Sequence, residues 1–419
     1  RLMPEPRWLG RTGGRLLGML GLLAGAPLAA AAPALQRPEG IVVGRWVLAP
    51  YVQYSLGRDN NLFRQNQNVV PPTRERITSF GVGLDATLPI RNSLFELAYL
   101  GSDLGYATSR VGNGVSHDAV ATLTLNFGSR DTLILRDRFI RSFSDSQNID
   151  PGGELVFQGQ AYDINRWDVE FARTELGRQG YSLRLSRVDF NYDQAADAPA
   201  FFDYRGMEGA VEYRQPLPGY RWLTVYHDVR GYNYYRPDAA VGIPERHEDT
   251  SSLQLGMRGL LGANQPFYLR LGWGRFRYTG AVRSQFAGLV TSAAWQLRLD
   301  RSTRLDLGLE RRPLPSSFET YYLINEFRTQ LERDWLRDSR YGIRLLLSRN
   351  YYGDPTSLPG CQTTDRVDSR VEAAAYLSWR IHSRIALDWS ATRYERNSNC
   401  QLADYGATVL SVAARLGWF

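Results

Sequence analysis

The sequence predicts an all-β fold: a transmembrane antiparallel outer-membrane β-barrel of about eighteen strands, with sixteen as the alternative count. Three observations predict it. From Trp46 onward apolar residues recur at period two, with no 3.6-residue stripe and no capped helix. Short and long polar connectors alternate between the periodic segments. Aromatic residues make up 12% of the chain, as 24 Tyr, 17 Phe and 10 Trp, more than a soluble core requires. Period two marks a strand with two unlike faces, and aromatic and β-branched side chains suit a pleated surface.

The alternation separates charge from apolar bulk. Leu253, Leu255 and Met257 oppose Ser252, Gln254 and Arg258; Leu305, Leu307 and Leu309 oppose Arg304, Asp306 and Glu310; Ile385, Leu387 and Trp389 oppose Asp388, Ser390 and Thr392. One face suits lipid and the other a wet interior. Strands are expected near 46–56, 76–89, 93–107, 117–128, 131–146, 160–175, 180–193, 203–215, 220–236, 249–262, 266–278, 286–299, 303–312, 318–335, 339–352, 367–381, 383–396 and 404–419. An even count returns both ends to the short-turn side, which is periplasmic. An open sheet of this length would leave unpaired edges in lipid, costing several kcal/mol per orphaned group, so the last strand must pair with the first.

Two segments break the pattern. Leu183 and Leu185 share one parity while Val188, Phe190 and Tyr192 share the other, and Leu269, Leu271 and Trp273 hand over to Phe276 and Tyr278. A β-bulge near Ser186-Arg187 would restore the faces; alternatively the strand leaves the membrane there and needs no lipid face.

The first residues read as an export signal. Arg7, Arg11 and Arg15 precede the apolar run Leu16 to Leu23 and the small-residue stretch Ala29 to Ala32, a pattern too short to span a bilayer and fitting cleavage after Ala31 or Ala34. The expected organisation is a signal and cleavage region at 1–34, a short periplasmic segment at 35–45 and the barrel at 46–419.

The net charge is +7, and with no lysine all 50 basic residues are arginine. They alternate with 43 acidic residues instead of clustering on one face, which argues against nucleic-acid binding. If apolar parity faces lipid, the opposite parity lines a lumen with Asp168, Glu170, Arg184, Glu208, Glu212, Arg258, Arg270, Arg298, Arg304, Glu310, Glu326, Arg328, Arg340, Arg344, Glu372, Tyr376, Arg380 and Asp388. Neighbouring opposite charges should brace the wall, while the arginine surplus creates a field favouring anions. Tyr376 and Tyr268 on the lumen parity, with Tyr232, Tyr234 and Tyr235, offer flat faces suited to sugar rings. Trp273, Trp295, Trp335, Trp379, Trp389 and Trp418 share the lipid parity and read as membrane-facing or girdle residues.

Cys361 and Cys400 fall in two loops expected on the same outer face, where a disulfide would staple them over the mouth. No metal-ligand spacing, phosphate loop or cofactor motif occurs. The four histidines, His117, His227, His247 and His382, suggest no catalytic constellation beyond the pair Ser378 and His382, and no enzyme activity is expected. The ending Leu416-Gly417-Trp418-Phe419 reads as the end of a membrane strand and as an insertion signal for the barrel-assembly machinery, with Leu416, Trp418 and Phe419 as its apolar elements.

The stretch Leu48 to Tyr54 followed by Arg58-Asp59-Asn60-Asn61-Leu62-Phe63-Arg64, and the later Phe202-Asp203-Tyr204-Arg205-Gly206, resemble the EpsL-like group of outer-membrane barrel porins encoded with exopolysaccharide synthesis loci. The resemblance implies a conduit or accessory for polysaccharide secretion, with the polymer and periplasmic export components as partners beside outer-membrane lipid and lipopolysaccharide. It supplies no catalytic residues. The competing expectations are a general or anion-favouring diffusion porin, and a structural or adhesion barrel with a blocked lumen.

Overall fold

The computed structural model describes residues 40–107, 113–143, 161–173, 178–192, 203–235, 246–262, 265–279, 284–316, 321–336, 339–353, 365–400 and 403–418. The signal region, Cys361 and Phe419 lie outside these described residues.

The alternating segments form the strands β1 (Ile41–Val43), β2 (Trp46–Asp59), β3 (Glu75–Ile90), β4 (Ser93–Tyr106), β5 (Gly114–Phe127), β6 (Asp131–Phe143), β7 (Ala161–Arg173), β8 (Gly180–Tyr192), β9 (Asp203–Leu217) and β10 (Arg221–Tyr235). They continue as β11 (Arg246–Leu261), β12 (Gln265–Thr279), β13 (Ser284–Arg298), β14 (Thr303–Pro315), β15 (Tyr321–Trp335), β16 (Ser339–Tyr352), β17 (Val367–His382), β18 (Ile385–Ser398) and β19 (Tyr405–Gly417). Each of β2 to β19 pairs antiparallel with its sequence neighbour, and the ring closes where β19 meets β2, with Leu410 opposite Arg58 and Leu416 opposite Val52. Eighteen strands make the barrel, as the connector count predicts, and sixteen is excluded. The extra strand β1 folds back on β2, setting Ile41 against Leu48 and Val43 against Trp46. It covers the edge of β2 that β19, ending at the pair Gly417–Tyr51, leaves open.

The outward parity is apolar and bare. Leu253, Leu255, Leu271 and Trp273 are 55%, 60%, 53% and 61% exposed. A continuous belt of this kind is unstable in water and stable against acyl chains. Trp335 and Trp379 stand in that belt with ring centroids 6.4 Å apart.

Both breaks in alternation are strands leaving the membrane, and there is no bulge. Register runs without interruption from Leu185 opposite Gly209 through Val188 opposite Gly206 to Phe190 opposite Tyr204. Above the belt the outward positions become polar, with Arg187 and Arg205 both bonded to Asp189. The inward positions become apolar instead. Phe190 is fully buried, stacked on Tyr204 at 4.9 Å and on Tyr162 at 5.7 Å. Phe276 and Tyr278 turn inward on β12 in the same way, while Arg275 and Arg277 point out. The one register shift on β17 lies between Arg380 and His382.

Strands also run past the predicted ends, β2 to Asp59 and β11 from Arg246. Ladder hydrogen bonds continue beyond the point where a lipid face is needed. At the opposite end the turns are tight enough to force left-handed backbone: Gly128, Gly219 and Gly262 adopt it freely, and Arg91, Tyr220 and Leu336 adopt it at φ values of 53°, 57° and 60°. In the turn before β14 the backbone N–H groups of Ser302 and Thr303 each donate to Asp300 at 2.7 Å. With the two hydroxyls, these bonds hold the Asp300 carboxyl below the usual carboxylate range.

Candidate functional site

The parity opposite the apolar belt faces the barrel interior, where side chains form short ion-pair chains along the wall. On β7 to β10, Arg166 reaches Asp168 at 3.2 Å and Glu208 at 2.9 Å, Ser186 donates to Asp168, and the Tyr232 hydroxyl donates to Glu208. On β14 to β17, Glu310 takes Arg312 at 2.7 Å and Arg328 at 3.0 Å, and Arg328 also bonds Glu326. Glu332 gathers Arg304, Gln330 and the Tyr376 hydroxyl. Arg344 meets Glu372 at 2.6 Å. Asp388 accepts from Ser378 and from Arg415, and Arg380 donates to the Ser383 carbonyl.

The densest group lies on β9 to β12. Glu212, only 3% exposed, is bonded by Arg214 at 2.6 Å, by Arg258 at 2.8 Å and by Arg270. Arg270 also lies over the rings of Tyr226 at 4.1 Å and Tyr268 at 5.3 Å. It reaches them because Gly256 stands opposite it; a Cβ at Gly256 would come within 2.9 Å of Arg270 Cγ and 2.1 Å of the Leu269 carbonyl oxygen. Arg184 faces Glu170 in register yet forms no ion pair among the described residues. Arg184, Tyr226, Gln254, Tyr268 and Arg270 line one recess in this wall. Gln254 Oε1 there is buried with no hydrogen-bond partner among the described residues.

Three arginines against one glutamate leave a local positive surplus, and its place on the ring is uneven. Strands β6 to β19 present arginine inward repeatedly, whereas β2 to β5 present Asp85, Glu96 and Asp118 with no inward arginine among their described residues. Acid without arginine therefore lines the β2 to β5 part of the inner wall. Every ion pair named here joins strands no more than three apart, so the bracing runs along the wall and not across the barrel.

Several contributors escaped the sequence reading. Arg166, Arg214, Arg230, Arg312, Arg370, Arg396 and Arg415 share the inward parity and carry ion pairs. The alternation that selected their neighbours applies to them equally. Tyr232 and Tyr234 lie on β10 within the expected strand, their hydroxyls bonded to Glu208 and Glu248; the side chain of Tyr235 lies outside the described ones. Ser378 and His382 hold other partners, Asp388 and Ser383.

The segment quoted for the family resemblance is built into the ring's seam. The Asn60 backbone N–H donates to the Thr408 carbonyl, and Thr408 N donates to Asn60 Oδ1 at 2.7 Å. Asn61, fully buried, donates from Nδ2 to the carbonyls of Gln65 at 2.8 Å and Gly406 at 3.0 Å. Arg64, at φ 52°, pairs with Asp59 at 2.7 Å and lies over Tyr394. These bonds continue the β2–β19 contact above the last ladder pair. At the other end of the seam Leu416 is outward and 56% exposed, the Trp418 N–H donates to the Pro50 carbonyl, and Arg384 covers its ring at 4.8 Å. Cys400 is buried.

No family model matches the chain, and no curated protein matches it. Solved structures similar in shape include OccK2 (OpdF) of Pseudomonas aeruginosa in complex with glucuronate, 14% identical, covering 89% of this chain and 98% of that one at a TM-score of 0.46. OccAB3 of Acinetobacter baumannii is 10% identical, with 88% and 99% covered and a TM-score of 0.45. The FrpB iron transporter of Neisseria meningitidis is 9% identical over 83% of this chain at a TM-score of 0.45, and this chain spans 62% of its length. At such depth the likeness carries no cargo over. The closed ring of eighteen strands, its bare apolar belt and its charged inner face make this chain an integral β-barrel of a Gram-negative outer membrane.

Proposed function

We propose that the barrel is a passive diffusion porin favouring small hydrophilic anions. The observation that carries the reading is the arginine sector of Arg184, Arg258 and Arg270 on β8 to β12, set against the arginine-free sector of β2 to β5. In a narrow wet passage a surplus of fixed guanidinium charge raises the local concentration of anions and slows cations. Ion pairs that run along the wall hold these groups in place.

The test is purified barrel in a planar bilayer under a salt gradient. Steady ohmic conductance with a reversal potential on the anion-selective side supports the porin; a closed channel, or cation selectivity, overturns it. A conduit for polysaccharide is the second reading, favoured by the resemblance at Arg58 to Arg64. Those residues have a seam-closing role that needs no polymer. Normal polymer secretion in a strain lacking the barrel would remove that reading and leave the porin standing.

A further inference from the structure

We propose that the outer wall at β8 to β12 carries a groove for the phosphorylated headgroup of an outer-leaflet glycolipid, lipopolysaccharide. The wall there is concave. A recess of about 530 Å³ opens on its lipid side, floored by Leu185, Met207 and Val229. Gly209 and Gly231 make the hollow: added Cβ atoms would stand 3.4 Å from Val229 Cγ2 and 3.4 Å from Asp249 Oδ1, in space the backbone leaves empty.

The rim is charged where the apolar belt stops. Arg275 and Arg277 follow Leu271 and Trp273 on the same outward parity of β12, are exposed, and form no ion pair or hydrogen bond among the described residues. On the far rim Arg187 and Arg205 share one carboxylate, Asp189, at 2.9 Å and 2.6 Å. Asp249, between the two, is bonded by His247 at 3.1 Å. Four guanidinium groups thus face two carboxylates, leaving the rim cationic. From β8 to β12 is four strand steps, about 19 Å, at the usual spacing of paired strands.

An apolar floor beside a cationic rim, at the level where acyl chains give way to headgroups, matches an anionic amphiphile. Guanidinium groups grip phosphate by paired hydrogen bonds, and the floor takes acyl chain. A free phosphate would have no use for the floor, so the groove is assigned to the lipid. Arg311 differs: also outward, on β14, it is held by Asn325 Oδ1 at 2.6 Å and by the Leu289 carbonyl.

The test uses the full barrel in detergent, with retention of added lipopolysaccharide read by native mass spectrometry. Arg275→Gln with Arg277→Gln should lower retention at least fivefold, as should Gly209→Leu, which fills the floor between Val229 and Leu185 without touching charge. Arg311→Gln should retain lipid as the unaltered barrel does. Each variant is first checked for the heat-modifiable migration of a folded barrel. Independently of any variant, dephosphorylated lipid A should fail to bind the unaltered protein. Equal retention by the double arginine variant, equal binding of the dephosphorylated lipid, or displacement by millimolar inorganic phosphate would each overturn the assignment.

Discussion

Arg258 on β11 donates to Glu212 on β9 at 2.8 Å, crossing β10 on the inner face, while Arg270 on β12 bonds the second oxygen of the same carboxylate. One acid therefore holds together arginines from three strands, Arg214 included.

Replacing Glu212 by Gln removes the carboxylate that all three share and leaves three guanidinium groups in mutual repulsion. Breaking a buried pair costs about 3–5 kcal/mol, and the wet interior screens part of it. The expected loss is about 2 kcal/mol, seen as a lower urea midpoint for the refolded barrel. The same variant should favour anions more strongly. An unchanged midpoint would show that Glu212 does not hold the cluster.

Arg184 faces Glu170 in register but forms no ion pair among the described residues, so its charge is less neutralised than that of a paired arginine. Arg184→Gln should shift the reversal potential toward cations and lower the anion-to-cation permeability ratio at least twofold. Arg344→Gln, which changes a paired charge held by Glu372, should shift it less. Equal shifts would mean that net charge alone, and not the unpaired group, sets selectivity.

Asn61 is fully buried and bonds the carbonyls of Gln65 and Gly406. Asn61→Ala orphans those acceptors, at about 1–3 kcal/mol for a buried unsatisfied group. The barrel should lose its heat-modifiable, compact migration at a lower temperature than the unaltered protein. Asn68→Ala, in the same loop, keeps the backbone N–H that donates to Asn66 Oδ1 and should leave that temperature in place.

Asp368 and Arg366 are each 1% exposed, paired at 2.6 Å, with Arg366 over the Tyr352 ring at 4.2 Å. Asp368→Ala leaves the guanidinium buried without its carboxylate. A destabilisation of about 3–5 kcal/mol follows, measured as a fall in urea midpoint or as loss of folded protein. A midpoint within error of the unaltered barrel would refute the pairing.

Particular residues show how far the sequence could be read. Leu253, Leu255 and Met257 identify a lipid face because period two is local: each side chain's face follows from its neighbours'. Tyr376 and Asp388 could be placed on the inner wall by the same parity. That parity says nothing of height, so the partnership of Asp388 with Arg415, 27 residues on, was not legible. The switch at Val188 and Phe190 was visible but ambiguous, since a bulge and an exit from lipid leave the same pattern. Unbroken register decided it.

By itself the sequence determined the all-β barrel, the lipid and interior faces, and the need to close, because alternation and turn spacing are written into consecutive residues; the ring decided eighteen strands over sixteen. Only the tertiary structure decided which charges neutralise one another. Glu212 meets Arg258 and Arg270 at separations of 46 and 58 residues, and Arg184 forms no ion pair among the described residues. Those outcomes depend on the register of each strand against the next, which brings side chains to a common height only when the whole ring is closed.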